Sequence, residues 1–286
     1  MERFRLKNII ILILVLMNGF LLASVAQRRA AEQDAFRRTA EQLVALFQAD
    51  GMELDSRAIS RDSPPDGVAL ARDTELEKKA AAFLLGASPT ATDQGGGIVH
   101  YAGAAGEAFF RAGGGFEASG VFAEEDPEDF CRDFCRTFSY EVPAMELDDS
   151  GSGVFSATAR FGGLPVFNCT ISFTVQQGAV TAVSGTLLPK SGAAAPGGQP
   201  LSAAGALGAF QRMRRENVAV VSTVTDTRPC YELQTSGGAM SLAPVWQIVT
   251  DTEDYYVNGY TGTVSAVGGV RPGEGSAVSR AAPGFS

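Results

Sequence analysis

The sequence predicts an N-terminal transmembrane helix followed by an α+β domain of antiparallel sheets packed with helices. Three observations carry this. Residues Ile9 to Ala26 form an 18-residue run without a charge, IIILILVLMNGFLLASVA, within the roughly 17–25 residues that a bilayer span needs. Apolar stripes at helical spacing then alternate with short β-rich runs closed by Gly and Asn-Gly turns. A stretch rich in Pro, Gly, Ala and Ser after Leu188 separates two segments of similar pattern.

Residues 1–7 form a basic head with Arg3, Arg5 and Lys7 against Glu2, which favours a cytoplasmic N-terminus for a span over 8–27. Arg28, Arg29, Arg37 and Arg38 follow closely, so charge flanks alone do not fix the orientation. A long following domain translocates largely regardless of its charge. The expectation is a single-pass protein of the cell membrane with most of the chain extracytoplasmic. Ser24-Val25-Ala26 also fits a signal-cleavage site, but the apolar run is longer than a usual signal core and continues as helix, which favours a retained anchor. Asn18 lies near the middle of the run. A carboxamide there gains about 0.6–2 kcal/mol from a partner across a helix pair; local hydration is the alternative. Asn18, Gly19, Phe20, Leu21 and Leu22 are therefore the candidate helix–helix contact.

From Arg28 to Asp50 the pattern is helical, with Phe36, Ala40, Leu43, Val44 and Phe47 as one stripe and Gly51 as the stop. Residues 28–62 make a membrane-proximal helix and linker, and the prolines of Ser63-Pro64-Pro65-Asp66 hold the chain extended. A first α+β subdomain over 63–190 opens with a helix from Asp73 to Leu85, its face Leu76, Ala80, Phe83 and Leu84, stopped by Gly86. Strands follow at Ile98–Ala102, Glu107–Arg111 and Phe116–Phe122. Asp126-Pro127-Glu128 reads as an N-cap, an N1 proline and an acidic first turn of a helix to Phe138. Strands Gly153–Phe161, Leu164–Gln176 and Ala179–Leu187 come next, with Gln177-Gly178 as a hairpin turn.

Residues 191–200 are the linker to a second α+β subdomain over 201–270. Ser202 caps its helix to Glu216. Strands are expected at Val218–Val224, Tyr231–Gln234, Leu242–Thr250, Asp254–Val257 and Thr263–Val267. The tail 271–286 is polar and small and reads as disordered. Pro165-Val166-Phe167 with Gly178–Val183 is echoed by Pro244-Val245-Trp246 with Gly262–Val267, each set following a helix. The echo implies a repeated helix-plus-hairpins unit.

No catalytic constellation, cofactor or metal is expected. The formal net charge is −9, and beyond residue 7 the chain carries 20 basic and 31 acidic residues. Such a surface repels nucleic acid at long range, so a protein partner is favoured. His100 is the single histidine and sits in a strand with no nucleophile or ligand motif around it. Cys131 and Cys135 share a helix face, but with Cys169, Cys230 and His100 they make no standard metal spacing; buried free thiols or a disulfide fit better. Asn168-Cys169-Thr170 matches a glycosylation acceptor but lies in a strand. Glu124-Glu125-Asp126 and Asp148-Asp149 lack the order of a calcium loop. Trp246, Tyr255, Tyr256 and Tyr260 are either core residues or a candidate partner surface, where Trp and Tyr are favoured.

Residues 244–267, PVWQIVTDTEDYYVNGYTGTVSAV, resemble the ending of PepSY-like modules. The basic head and Leu/Ile span, with Asn-x-Phe-Leu-Leu at Asn18–Leu22, resemble the YycI and YycH regulatory proteins. Size and layout are closer to YycI. The resemblance implies two tandem PepSY-like units after the anchor. It also implies a non-enzymatic regulator that associates with and restrains a cell-wall-sensing two-component histidine kinase of Gram-positive bacteria. Contacts would run through the span, alongside a YycH-like partner. A PepSY-type module that inhibits a peptidase or assists an envelope hydrolase is the alternative.

Overall fold

The computed structural model describes residues 2–123, 126–217 and 221–267; for residues 2–12, 217 and 267 it describes the backbone alone. The chain opens with α1 (Glu2–Ala49), β1 (Glu53–Leu54), a 3₁₀ turn (Ser56–Ala58), β2 (Val68–Leu70) and α2 (Thr74–Leu85). Then come β3 (Thr90–Gly95), β4 (Ile98–Gly103), β5 (Gly106–Arg111), β6 (Gly115–Ala123) and α3 (Pro127–Thr137). They are followed by β7 (Gly153–Phe161), β8 (Leu164–Gln176), β9 (Ala179–Thr186), β10 (Ala193–Ala194) and α4 (Ala203–Asn217). The last strands are β11 (Thr223–Ser236), β12 (Ala239–Thr250), β13 (Asp254–Asn258) and β14 (Val264–Val267).

Local chemistry sets the helix ends. Asp73 accepts a hydrogen bond from Leu76 N at 2.9 Å and Asp126 from Asp129 N at 2.9 Å, each satisfying an orphan donor of the first turn. Pro127 occupies the start of α3, where its missing N–H costs nothing. Ser202 Oγ accepts from Gly205 N at 3.3 Å at the head of α4. Gln177 and Gly178, both at positive φ (51° and 81°), close the β8–β9 hairpin as a primed turn.

Two features of the predicted fold class are corrected. The first is the pair of tandem units. Over the described residues the protein is a mostly β domain with four helices, and the fourteen strands among them form one sheet. Its main path runs β10-β2-β12-β11-β8-β9-β6-β5-β4-β3. The hairpins β7–β8 and β11–β12 do each follow a helix, as the echo implied. However, β11 runs beside β8 in parallel, meeting it at Tyr231↔Val166, and this contact joins the halves. The linker residues Ala193–Ala194 and the segment Val68–Leu70 also enter the sheet, β10 pairing with β2 and β2 with β12.

The second correction concerns the transmembrane helix. Among the described residues no helix is long and apolar enough to cross a membrane. The backbone of α1 runs without a break from Glu2 to Ala49. Of the predicted span 8–27, side chains 8–12 lie outside the described residues, as do those of Arg3, Arg5 and Lys7. Within the described side chains, the uncharged stretch from Ile13 gives way at Arg28 and Arg29 to the charged part of the helix. The Glu124-Glu125 pair, part of the strand expected at Val218–Val224, and the tail 271–286 also lie outside the described residues.

Two apolar clusters hold the sheet to its helices. In one, Phe134 of α3 is fully buried among Phe83, Phe116, Phe138, Tyr140 and Phe173. In the other, Ala40, Leu43 and Phe47 of α1 meet Leu207 and Phe210 of α4 and Trp246, Ile248 and Val257 of the sheet. The stripe read from the sequence is the face that α1 buries, Phe36 and Val44 being partly covered.

Candidate functional site

The candidate contact Asn18–Leu22 lies on the part of α1 that projects from the sheet. All five residues are exposed, and a side chain at Gly19 would meet nothing within 4 Å. The apolar exposure surrounds the helix: Ile13, Leu16, Phe20 and Leu22 are 53%, 64%, 73% and 72% exposed. A helix apolar on every side is stable only when something covers it.

The other end of α1 is fixed. Asp50, just past the helix, accepts from Arg215 Nε at 2.7 Å and Nη2 at 2.9 Å and from Gln211 Nε2 at 2.6 Å. Gln211 also donates to Leu46 O and Arg214 to Asp50 O. Cationic α4 groups thus meet the carbonyl end of α1, where the helix dipole favours them. The Arg215 guanidinium holds the Asp50 carboxyl below its ordinary 3.8. The exposed apolar end of α1 is therefore coupled to the sheet through one continuous helix, about 72 Å long for 48 residues.

The aromatic candidates separate. Trp246 is 1% exposed, with Nε1 donating to Leu201 O at 2.7 Å, and Tyr255 is 4% exposed, its hydroxyl donating to Glu253 at 2.7 Å. Both are core residues, the first of the two readings their residue types allow. Tyr256 is half-buried, stacked on Phe167 with ring centroids 3.8 Å apart. Tyr260 accepts from Gly67 N at 3.0 Å, and a Cβ at Gly197 would stand 2.7 Å from its ring, so it clamps two loops whose closeness requires glycine.

The remaining titratable groups find structural partners. His100 Nε2 lies 3.0 Å from Glu107 Oε2 and its ring stacks on Phe109. Cys131, Cys135, Cys169 and Cys230 are buried free thiols, each pushed up to about 12 by burial. Among the described residues no group of His, Cys, Asp and Glu is placed to hold a metal. Asp148 binds Ser150 and Ser152 within its own turn.

One feature has no counterpart in the sequence reading. A groove of about 1070 Å³ runs between α1, the loop Ser56–Asp62 and the segment Asp226–Arg228 of β11. In the sequence, residues 51–65 read as a connection and Asp226–Pro229 as a break between strands, so neither marked a wall.

No protein-family profile matches the chain, and no curated protein matches it in sequence. Among solved structures, an uncharacterized protein from Eubacterium rectale ATCC 33656 is similar at 10% identity over 76% of this chain and 90% of its own, with a TM-score of 0.40. From so distant a likeness neither fold nor function is carried over.

Proposed function

We infer that the chain is a non-enzymatic accessory protein that binds a larger partner through the exposed apolar half of α1 and restrains it. The observation that supports this is the construction of α1. One end is buried in the sheet domain and ion-paired to α4, and the other presents Ile13–Val25 uncovered. Cover by a partner's helices satisfies that surface, and the continuous helix couples the contact to the domain. The resemblance of Asn18–Leu22 and of residues 244–267 to YycI and YycH supports a sensor histidine kinase as the partner, with a YycH-like protein beside it.

The test uses the full-length chain and the full-length sensor kinase encoded nearest to it. The wild-type chain should retain the kinase on co-purification and lower its autophosphorylation; Leu16→Arg with Leu22→Arg should lose both effects. Unchanged autophosphorylation in the presence of the wild-type chain overturns the reading. So does capture of the chain by protein-free vesicles without retention of the kinase.

A further inference from the structure

Register divides the C-terminal strands between two faces of the sheet. Cys230 pairs with Val245 and Val245 with Asn258, while Gln247 pairs with Tyr256 and Tyr256 with Ser265. Side chains alternate faces along a strand. Cys230, Glu232, Val245, Tyr256, Asn258 and Ser265 therefore share one face. Trp246, Ile248, Tyr255 and Val257 take the other, in the core against α1 and α4. Phe167, in the bulge of β8, reaches the first face and stacks on Tyr256.

A pocket of about 240 Å³ opens on this face, the space of about eight waters at ~30 Å³ each. Buried Val245, the Phe167–Tyr256 pair and half-buried Glu232 line it. Asn258, Thr261, Thr263 and Ser265 supply the rest of its polar lining.

The lining carries one charge, and it is negative. Among the described residues the Glu232 carboxylate meets no cation and accepts only from Gln234 Nε2, at 3.1 Å. Arg228, on the same strand and face, is held by Asp226 at 2.6 Å. Two hydroxyls of the lining turn their protons back into the protein. Thr261 Oγ1 donates to Thr263 Oγ1 at 2.9 Å, and Ser265 Oγ donates to Tyr256 O at 3.4 Å. A hydroxyl oxygen has two lone pairs. Thr263 N takes one of Thr261's at 3.2 Å, so Thr261 and Ser265 both keep acceptor capacity. The donors left in the lining are neutral: the Asn258 amide and the hydroxyls of Thr263 and Tyr256.

We propose that this pocket binds a small primary alkylamine in its ammonium form. The ammonium donates to the Glu232 carboxylate and to the oxygens of Thr261 and Ser265, and its alkyl chain packs on Val245 and the Phe167–Tyr256 pair. An ammonium carries three donors and no acceptor, which matches three acceptor groups beside a lone carboxylate. Aromatic rings add a further attraction for a cation, and the net charge of −9 draws cations toward the chain. An anion would meet Glu232 with no cation to hold it. The pocket is separate from the apolar half of α1 and stands or falls without it.

The test is a saturation-transfer NMR titration of the full-length chain in non-ionic detergent, with protein-free detergent as the blank. n-Butylammonium should bind saturably, and n-butanol and n-butyrate should not. Tetramethylammonium, which has the charge but no N–H, should bind more weakly. Glu232→Gln should weaken n-butylammonium about tenfold, as loss of a charge-assisted bond does, and Ser265→Ala about threefold. Ser265 is exposed, so the second variant carries the test if the first fails to fold. Glu117→Gln, at an exposed carboxylate of β6, should bind as the wild type does. The proposal is overturned by no saturable binding, by equal binding of butanol, butyrate or tetramethylammonium, or by indifference to both pocket substitutions. An equal loss in Glu117→Gln also overturns it, since the attraction would then be to an acidic surface in general.

Discussion

Asn168 and Leu233 are joined by two hydrogen bonds between a side chain and a backbone: Asn168 Nδ2 donates to Leu233 O at 2.9 Å, and Leu233 N donates to Asn168 Oδ1 at 2.8 Å. Their position explains the arrangement. The β7–β8 ladder passes from Thr158↔Thr170 to Ala159↔Val166, so Phe167, Asn168 and Cys169 bulge from it. The carboxamide reproduces a peptide's donor and acceptor and extends the β8–β11 contact beyond the Tyr231↔Val166 pair. It joins the two halves that the sequence presents as separate units.

Asn168→Ala should therefore destabilise the whole domain, by about 1–2 kcal/mol for two exposed net hydrogen bonds. Asn168→Asp should do the same, because a carboxylate accepts from Leu233 N but cannot donate to its carbonyl. A lower urea midpoint with an unchanged slope is the expected readout. A separate early transition for one half would instead show that this contact does not couple them.

Arg72 and Glu77 form a two-pronged ion pair, Nε–Oε1 at 2.7 Å and Nη2–Oε2 at 2.9 Å, while Nη1 donates to Gly97 O at 2.8 Å. The Glu77 side chain is 6% exposed. Arg72→Ala would leave a buried carboxylate alone, at a cost of about 3–5 kcal/mol. The double change Arg72→Met with Glu77→Leu should recover most of that loss, since neither charge is then stranded. Chemical denaturation of the three proteins checks the order.

The Asp50–Arg215 pair gives a pH dependence of definite sign. A carboxyl held below its ordinary 3.8 contributes stability above that pH, and the contribution is lost as pH falls through the lower folded value. Urea midpoints measured from about pH 5 down to pH 2 should fall less steeply in Asp50→Asn than in the wild type. Proteolysis near residue 50 should speed up in the variant, because the same carboxylate ties α1 to α4.

Helix ends were legible because their signals are local. Asp73, Asp126 and Ser202 each cap the helix they precede, and Gly51, at φ 74°, ends α1 as expected. Hairpin turns were legible for the same reason. The single sheet was not, since Tyr231↔Val166 pairs residues far apart in sequence with no turn between them. Strand β11 was missed through Asp226–Pro229 because proline and charge read as a break; between its pairings with β1 and β8 that side faces no strand, which makes proline tolerable there. The echo did not mark a repeated unit, for β9 pairs directly with β8 whereas β14 pairs with β13 and not with β12, and both segments belong to one sheet. Of the candidate aromatic surface, Trp246 and Tyr255 went to the core, which composition alone does not distinguish from an exposed patch.

The four cysteines provide the last prediction. Each is buried, and burial pushes each thiol to about 12. The thiolate is the reactive form, so at pH 8 only on the order of one thiol in ten thousand is ionised, behind packed side chains. Iodoacetamide at that pH should leave the native protein unmodified and label all four positions once the chain is unfolded in denaturant, as mass spectrometry would show. Cys131 and Cys135 carry the sharper version. They lie one turn apart on α3, and Cys135 adjoins Phe134 at the centre of the aromatic cluster. Labelling of either in the native protein would require α3 to leave the sheet. Its rate against denaturant would therefore measure that opening. If both cysteines react at the same rate as each other and well before global unfolding, α3 detaches as a unit. If they react only with global unfolding, the Phe134 cluster and the sheet open together.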